Sequence, residues 1–250
     1  MLARGGYAAS GLIHMILGGI AFAVAASGHG QSDQTGALTA IAAAPLGFAA
    51  LWAIAVLLAA LGLYHGVHGF ALRIARDSKR RWRHVSEWSQ GVVFLAMAAI
   101  AVAVALGARP DPDESAQETS RGLLTVAGGP LLLGAAGAAV GIGGIAWIVM
   151  GVRRSFRRRM SLPHGRWGAV VSAIGVVGFV AKGAALAVVG VVLVVAAVRQ
   201  DPDAAGGLDA AIASLRDLPA GGAIVVAIGA GFVAYGVFCI LRARYADLDG

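Results

Sequence analysis

Charged residues are scarce in this sequence. Only 13% of its 250 residues are Asp, Glu, Lys or Arg, against about 25% in an ordinary soluble domain. A conventional water-soluble fold is therefore not expected. Cysteine is nearly missing too. The single residue, Cys239, rules out an internal disulfide and sits in an apolar run as a small packing residue. No Asp or Glu falls inside the long apolar runs, which argues against a proton-coupled pump built on membrane carboxylates. Enzyme signatures are absent: no glycine-rich phosphate loop with a lysine, no nucleophile elbow, no zinc-binding helix. The expectation is a non-enzymatic protein with no catalytic residue and no cofactor.

What is present is apolar length. Hydrophobic residues make up 58% of the chain and the mean hydropathy is +0.79. Six runs stand out, near 6–27, 45–71, 88–107, 130–152, 178–198 and 219–241. Each has about the 20 residues that a helix needs to cross a bilayer. The 37 glycines would weaken these helices in water. In lipid they let helices approach closely, as at Gly62-x-x-x-Gly66 and Gly137-x-x-x-Gly141, although such pairs are common in any membrane protein rich in small residues.

The runs fall into three two-span repeats, about 4–76, 86–157 and 176–245, within one membrane domain covering 1–250. Four marks line them up: Gly11, Gly91 and Gly183 in the first span; Pro45, Pro130 and Pro219 opening the second; then Gly62, Gly143 and Gly231; then Arg73, Arg154 and Arg242. Asp111-Pro112-Asp113 and Asp201-Pro202-Asp203 share a loop position in copies two and three, and copy one has Gly28-His29-Gly30 instead. Proline suits the first turn of a helix, where its missing N–H loses no partner. The loops before the prolines are short and acidic. Arg4 followed by an apolar run ending at Ser27 resembles a signal peptide. Recurrence of that span inside two internal repeats argues against cleavage.

Basic residues set the orientation. The loop 72–87 holds Arg73, Arg76, Lys79, Arg80, Arg81 and Arg83. The loop 153–167 holds Arg153, Arg154, Arg157, Arg158, Arg159 and Arg166. With Arg4, Arg242 and Arg244, fifteen of the twenty basic residues lie on one side. Both termini are expected in the cytoplasm of a bacterium, in its inner membrane. The net charge of +7 then reads as attraction of these loops to anionic lipid headgroups. Positive-inside loops account for the basic runs without nucleic acid. Trp82, Trp88 and Trp167 flank the same side as an interfacial belt.

Few residues within the spans could carry chemistry. The apolar run from Trp167 to Val198 would be about 48 Å long as one helix. The repeat register starts the span near Gly178 and leaves 167–177 as a juxtamembrane helix. On that register Lys182 lies near the cytoplasmic edge and snorkels to the headgroups. Counted from Trp167, it lies near the midplane instead, where an intramembrane cation is a functional candidate. His14 in the first span and His65 and His68 in the second lie toward the cytoplasmic half. They could hydrogen-bond locally, or together ligate a metal or haem iron.

Gly6-Tyr7-Ala8-Ala9-Ser10-Gly11, then Gly36-Ala37-Leu38, Pro45-Leu46-Gly47 and the closing glycine-to-arginine helix resemble the bacterial domain-of-unknown-function family 1206. The resemblance covers all three copies and implies tandem two-helix membrane units. It implies no activity and no catalytic residue. The family's arginine before the first glycine is replaced here by Ser10, Gln90 and Lys182, and a basic residue expected at that position adds weight to snorkelling.

The expected architecture is all-α and polytopic, with six transmembrane helices in three parallel two-helix repeats around a pseudo-threefold axis. The leading functional expectation is a structural or accessory membrane protein that binds lipid or a protein partner. The alternative is a small-solute transporter or channel with a path along the axis, for which Lys182 and Ser172 are the polar groups at hand. A haem or metal protein resting on the three histidines is the third.

Overall fold

The computed structural model describes residues 2–27, 34–72, 78–162 and 165–245. Each repeat is long helix, short helix, long helix. Repeat one contains α1 (Leu2–Ser27), α2 (Gln34–Ala42) and α3 (Gly47–Leu72). Repeat two contains α4 (Ser78–Ala105), α5 (Pro112–Leu124) and α6 (Gly129–Val152). Repeat three contains α7 (Arg166–Arg199), α8 (Leu208–Arg216) and α9 (Gly221–Tyr245). The six long helices are all long and apolar enough to cross a membrane. The protein is a multi-pass membrane protein of six helices in three repeats.

The loops before the prolines are more ordered than expected, since they hold α2, α5 and α8. The repeated Asp-Pro-Asp explains part of this. Asp111 accepts from the Asp113 and Glu114 amides at 2.9 and 3.2 Å and so caps α5, and Asp201 does the same for the Asp203 amide at 3.0 Å. After each short helix the chain turns through one left-handed residue, Leu46 (φ 64°), Gly128 (φ 82°) or Ala220 (φ 61°). The next residue is Gly47, Gly129 or Gly221. A β-carbon there would collide with the carbonyl oxygen of Ile41, Leu123 or Arg216 respectively.

These turns correct the register of the second spans. Pro45 and Pro219 lie two residues before their helices, whereas Pro130 lies inside the first turn of α6. The glycine that follows the turn is Gly62, Gly144 or Gly236, rather than Gly143 or Gly231. Nothing approaches Gly143, and Gly231 packs on Ala181. Arg154 and Arg242, two of the closing arginines, share no position either. Arg154 follows α6 with φ 52°, Arg242 lies inside α9, and Arg73 lies outside the described residues.

The first-span marks Gly11, Gly91 and Gly183 are equivalent. Each sits where the first helix of one repeat crosses the second helix of the repeat before it. A β-carbon on Gly11 would stand 2.7 Å from the Gly236 oxygen, one on Gly91 3.1 Å from the Gly62 oxygen, and one on Gly183 2.5 Å from the Gly144 oxygen. Backbones touch at these crossings because neither partner carries a side chain. The main interfaces are therefore between repeats: α9 with α1, α3 with α4, and α6 with α7. Within repeats, α1 also packs on α3 and α7 on α9, but α4 and α6 have no comparable interface. The ring implied by threefold symmetry is open there. The order is α4, α3, α1, α9, α7, α6, with half of α1 and α9 buried and only 17% of α6.

Two further boundaries differ from expectation. Helix α4 begins at Ser78, so much of the basic loop 72–87 is its first turns. Helix α7 is unbroken from Arg166 to Arg199, about 51 Å of helix. No separate juxtamembrane helix precedes Gly178.

Candidate functional site

Helix α1 carries a polar side chain to each of its two flanks. Toward repeat three stands His14, 3% exposed. Its Nδ1 donates to the Ser10 carbonyl at 2.7 Å. A carbonyl only accepts, so Nδ1 carries the proton and Nε2 of the neutral ring offers a lone pair. Lys182 Nζ donates to that Nε2 at 3.2 Å. Two rings wall the ammonium, Trp147 of α6 at 4.6 Å and Tyr235 of α9 at 4.5 Å, in cation–π geometry. Tyr235 also meets the His14 ring edge-on at 4.7 Å. Cys239 packs beside Tyr235 in a buried apolar cluster, as a small packing residue does.

Lys182 is thus turned inward and partly buried, midway along α7. The snorkelling geometry expected from a span starting at Gly178 is not formed, because α7 starts twelve residues earlier. Among the described residues no carboxylate pairs with Lys182. Ser172 lies about three turns away along α7 with its hydroxyl buried and unpartnered among the described residues. It is not part of this cluster.

On the other flank of α1, the Tyr7 hydroxyl hydrogen-bonds with His65 Nε2 at 3.2 Å. His65 Nδ1 lies 2.7 Å from Glu87 Oε2 of α4. Phe94 stacks on the His65 ring with centroids 5.6 Å apart. Tyr7, His65 and Glu87 are 3%, 2% and 4% exposed. The Arg242 guanidinium covers the Tyr7 ring at 4.4 Å. Glu87 overturns the expectation that no carboxylate enters a span. It sits one residue outside the apolar run starting at 88, yet α4 continues through it and its first apolar window begins there.

The α3–α4 crossing explains how Glu87 is placed. Gly62 and Gly91 bring the backbones together. His65 and Glu87 lie one turn beyond that point on their respective helices, so their side chains fill the gap that opens. Sequence reasoning missed Tyr7, Glu87, Trp147, Tyr235 and Arg242. The readable signal was Glu87, four residues before a repeat-marking glycine.

The three histidines do not converge. His14 belongs to the Lys182 cluster, His65 to the Glu87 cluster, and His68 stacks on Tyr64 with centroids 5.9 Å apart. Among the described residues no group of three or more His, Cys, Asp or Glu is placed to hold a metal. The described members of the expected headgroup set lie at the start of α4 and just beyond the end of α6. Arg153, Arg154, Arg157 and Arg158 are exposed beyond α6. Lys79, Arg80, Arg81 and Arg83 lie in the first turns of α4, and Arg159 closes a short 3-10 turn. Arg73 and Arg76 fall outside the described residues.

The model of a family described as Domain of Unknown Function (DUF1206) matches the chain three times, at residues 5–71, 88–154 and 177–246. The chain belongs to the DUF1206 family. Its DUF1206 units coincide with the three helical repeats, and each carries one of the glycines Gly11, Gly91 and Gly183. The chain is also similar to the uncharacterized protein YxxB of Bacillus subtilis (strain 168). The two are 27% identical over 254 residues, covering 98% of this chain and 90% of that protein. No solved structure matches.

Proposed function

We propose that this DUF1206 protein is a non-enzymatic carrier of a small anionic solute in the bacterial cytoplasmic membrane. The observation behind this reading is Lys182. An ammonium midway along a membrane helix is held by a neutral imidazole and two rings and has no counterion among the described residues. Ionisable groups at such depth are costly and mark substrate or ion paths. A small anion is the complement that removes the cost. The basic end faces the cytoplasm in this reading, with both termini inside, and its arginines lie against anionic headgroups.

The test is uptake by proteoliposomes of a panel of labelled lactate, glutamate, phosphate and chloride. At least one anion should enter faster than into protein-free liposomes, and Lys182→Gln should abolish that difference while leaving the unfolding midpoint nearly unchanged. Rates equal to protein-free liposomes for all four would overturn the reading. Single cysteines replacing Arg157 or Arg158 should react only with reagent on the cytoplasmic side.

A second reading, an accessory protein holding lipid or a partner, is supported by the glycine crossings. Backbones packed this closely at all three interfaces suit a rigid scaffold more than a moving one. It leaves Lys182 without a role.

A further inference from the structure

We infer that the Lys182 site takes a 2-hydroxycarboxylate carrying a single negative charge. The inference rests on the carrier reading above and names its solute. It comes from the bond between Lys182 and His14 and from the walls around that bond.

Lys182 Nζ and His14 Nε2 are 3.2 Å apart and share one hydrogen. His14 Nδ1 is already committed as donor to the Ser10 carbonyl at 2.7 Å. Parting Nζ from Nε2 therefore exposes two unlike groups side by side, a cationic N–H donor and a nitrogen lone pair. This holds whichever nitrogen keeps the shared hydrogen. An ammonium leaves a lone pair on the imidazole, and an imidazolium leaves one on the amine.

A bare anion such as chloride would take the donor and leave the lone pair with nothing to accept. His14 is 3% exposed, and a buried polar group without a partner is costly. A solute that brings an anionic oxygen and a hydroxyl together satisfies both nitrogens at once. In a 2-hydroxycarboxylate the hydroxyl stands on the carbon next to the carboxylate, so its oxygen lies about one hydrogen-bond length from a carboxylate oxygen. That spacing matches the paired nitrogens.

The surroundings set charge and shape. Arg242 lies over the Tyr7 ring at 4.4 Å rather than on this pair, so the site offers one positive charge. A second carboxylate on the solute would meet no cation of its own. The walls are rings: Trp147 and Tyr235 at 4.6 and 4.5 Å from Nζ, and Phe232 with its centroid 6.3 Å from that of His14. Phe232 packs in turn on Ala185 and Ile228. Such walls suit a short apolar substituent on the hydroxyl-bearing carbon.

The experiment is equilibrium dialysis of labelled lactate against the purified full chain in nanodiscs, with unlabelled propionate, 2-methoxypropionate and malate as competitors. Propionate lacks the hydroxyl. The methoxy compound keeps that oxygen without its hydrogen, and malate adds a second charge. Lactate should bind, and each competitor should displace it at least about tenfold less effectively than unlabelled lactate does. In His14→Leu, labelled lactate and labelled propionate should bind alike, with the unfolding midpoint measured beside them. If that variant fails to fold, the competitors decide the matter on the parent chain. Propionate or 2-methoxypropionate competing as well as lactate would overturn the hydroxyl assignment. Malate competing as well would overturn the single charge, and absence of lactate binding would overturn both.

The carrier reading is tested separately, by uptake into proteoliposomes. Selective lactate binding without uptake of any anion sinks the carrier and keeps the site. Uptake that depends on Lys182 but does not prefer lactate to propionate does the reverse.

Discussion

The α6–α7 and α9–α1 crossings share a backbone plan and differ in what surrounds it. Both have two glycine contacts seven residues apart, Gly144 with Gly183 and Gly137 with Gly190 in one, Gly236 with Gly11 and Gly229 with Gly18 in the other. The first lies at the edge of the bundle, and α6 is its least buried long helix. The second lies at the centre, and its helices carry Tyr7, His14, Tyr235 and Arg242. Close glycine packing thus serves as scaffold at both, while the polar side chains of α1 and α9 reach partners on the helices that flank the central crossing. A polar group at the edge would face lipid and find no partner. At the centre it finds one on α3, α4 or α7.

The comparison can be broken most sharply at the glycines. Gly183→Leu and Gly236→Leu should each destabilise the protein by about 3 kcal/mol, read by chemical unfolding in detergent. Backbone as well as side chain stands in the way at both. Gly141→Ala is the contrast, because its nearest neighbour is the Gly190 Cα at 3.9 Å, and it should unfold like the parent. Equal behaviour of the leucine and alanine variants would remove the close-packing argument.

Next in size is Glu87→Leu. It leaves the buried His65 Nδ1 without its acceptor, at a cost of about 2 kcal/mol. Smaller again is Asp113→Ala. Asp113 reaches from α5 to accept the Gly207 and Ala210 amides, at 2.5 and 2.9 Å, and so caps α8 of the next repeat. Its loss should cost about 1 kcal/mol and raise amide exchange in α8 first. An effect of similar size and opposite sign is expected at two turns. Leu46→Gly and Ala220→Gly relieve a left-handed backbone and should each stabilise by about 1 kcal/mol. Gly128 already holds that turn in repeat two.

Much of this was readable in advance and some was misread for identifiable reasons. Span count, repeat number and the equivalence of Gly11, Gly91 and Gly183 follow from apolar length and spacing. Second-span marks slipped because proline can stand inside a first turn, as Pro130 does, or before it, as Pro45 and Pro219 do. The span limit drawn at 88 hid Glu87, since a helix does not stop where apolar residues do. Lys182 was placed near an edge because repeat register was used to start its helix, whereas α7 had already run sixteen residues by then.

The sequence by itself determined six membrane helices in three copies, because crossing lipid is a demand each segment meets alone through length and hydropathy. It also determined which glycines recur. Only the tertiary structure decided that the tight crossings join one repeat to the next and that α4 and α6 stay apart. It alone brought Lys182 to His14, 168 residues away, and Tyr7 to His65, 58 residues away. Glycine and alanine surround these helices on all sides, so hydrophobic pattern could not choose their inward faces. Backbone fit between small residues made that choice, and the polar partners followed from it.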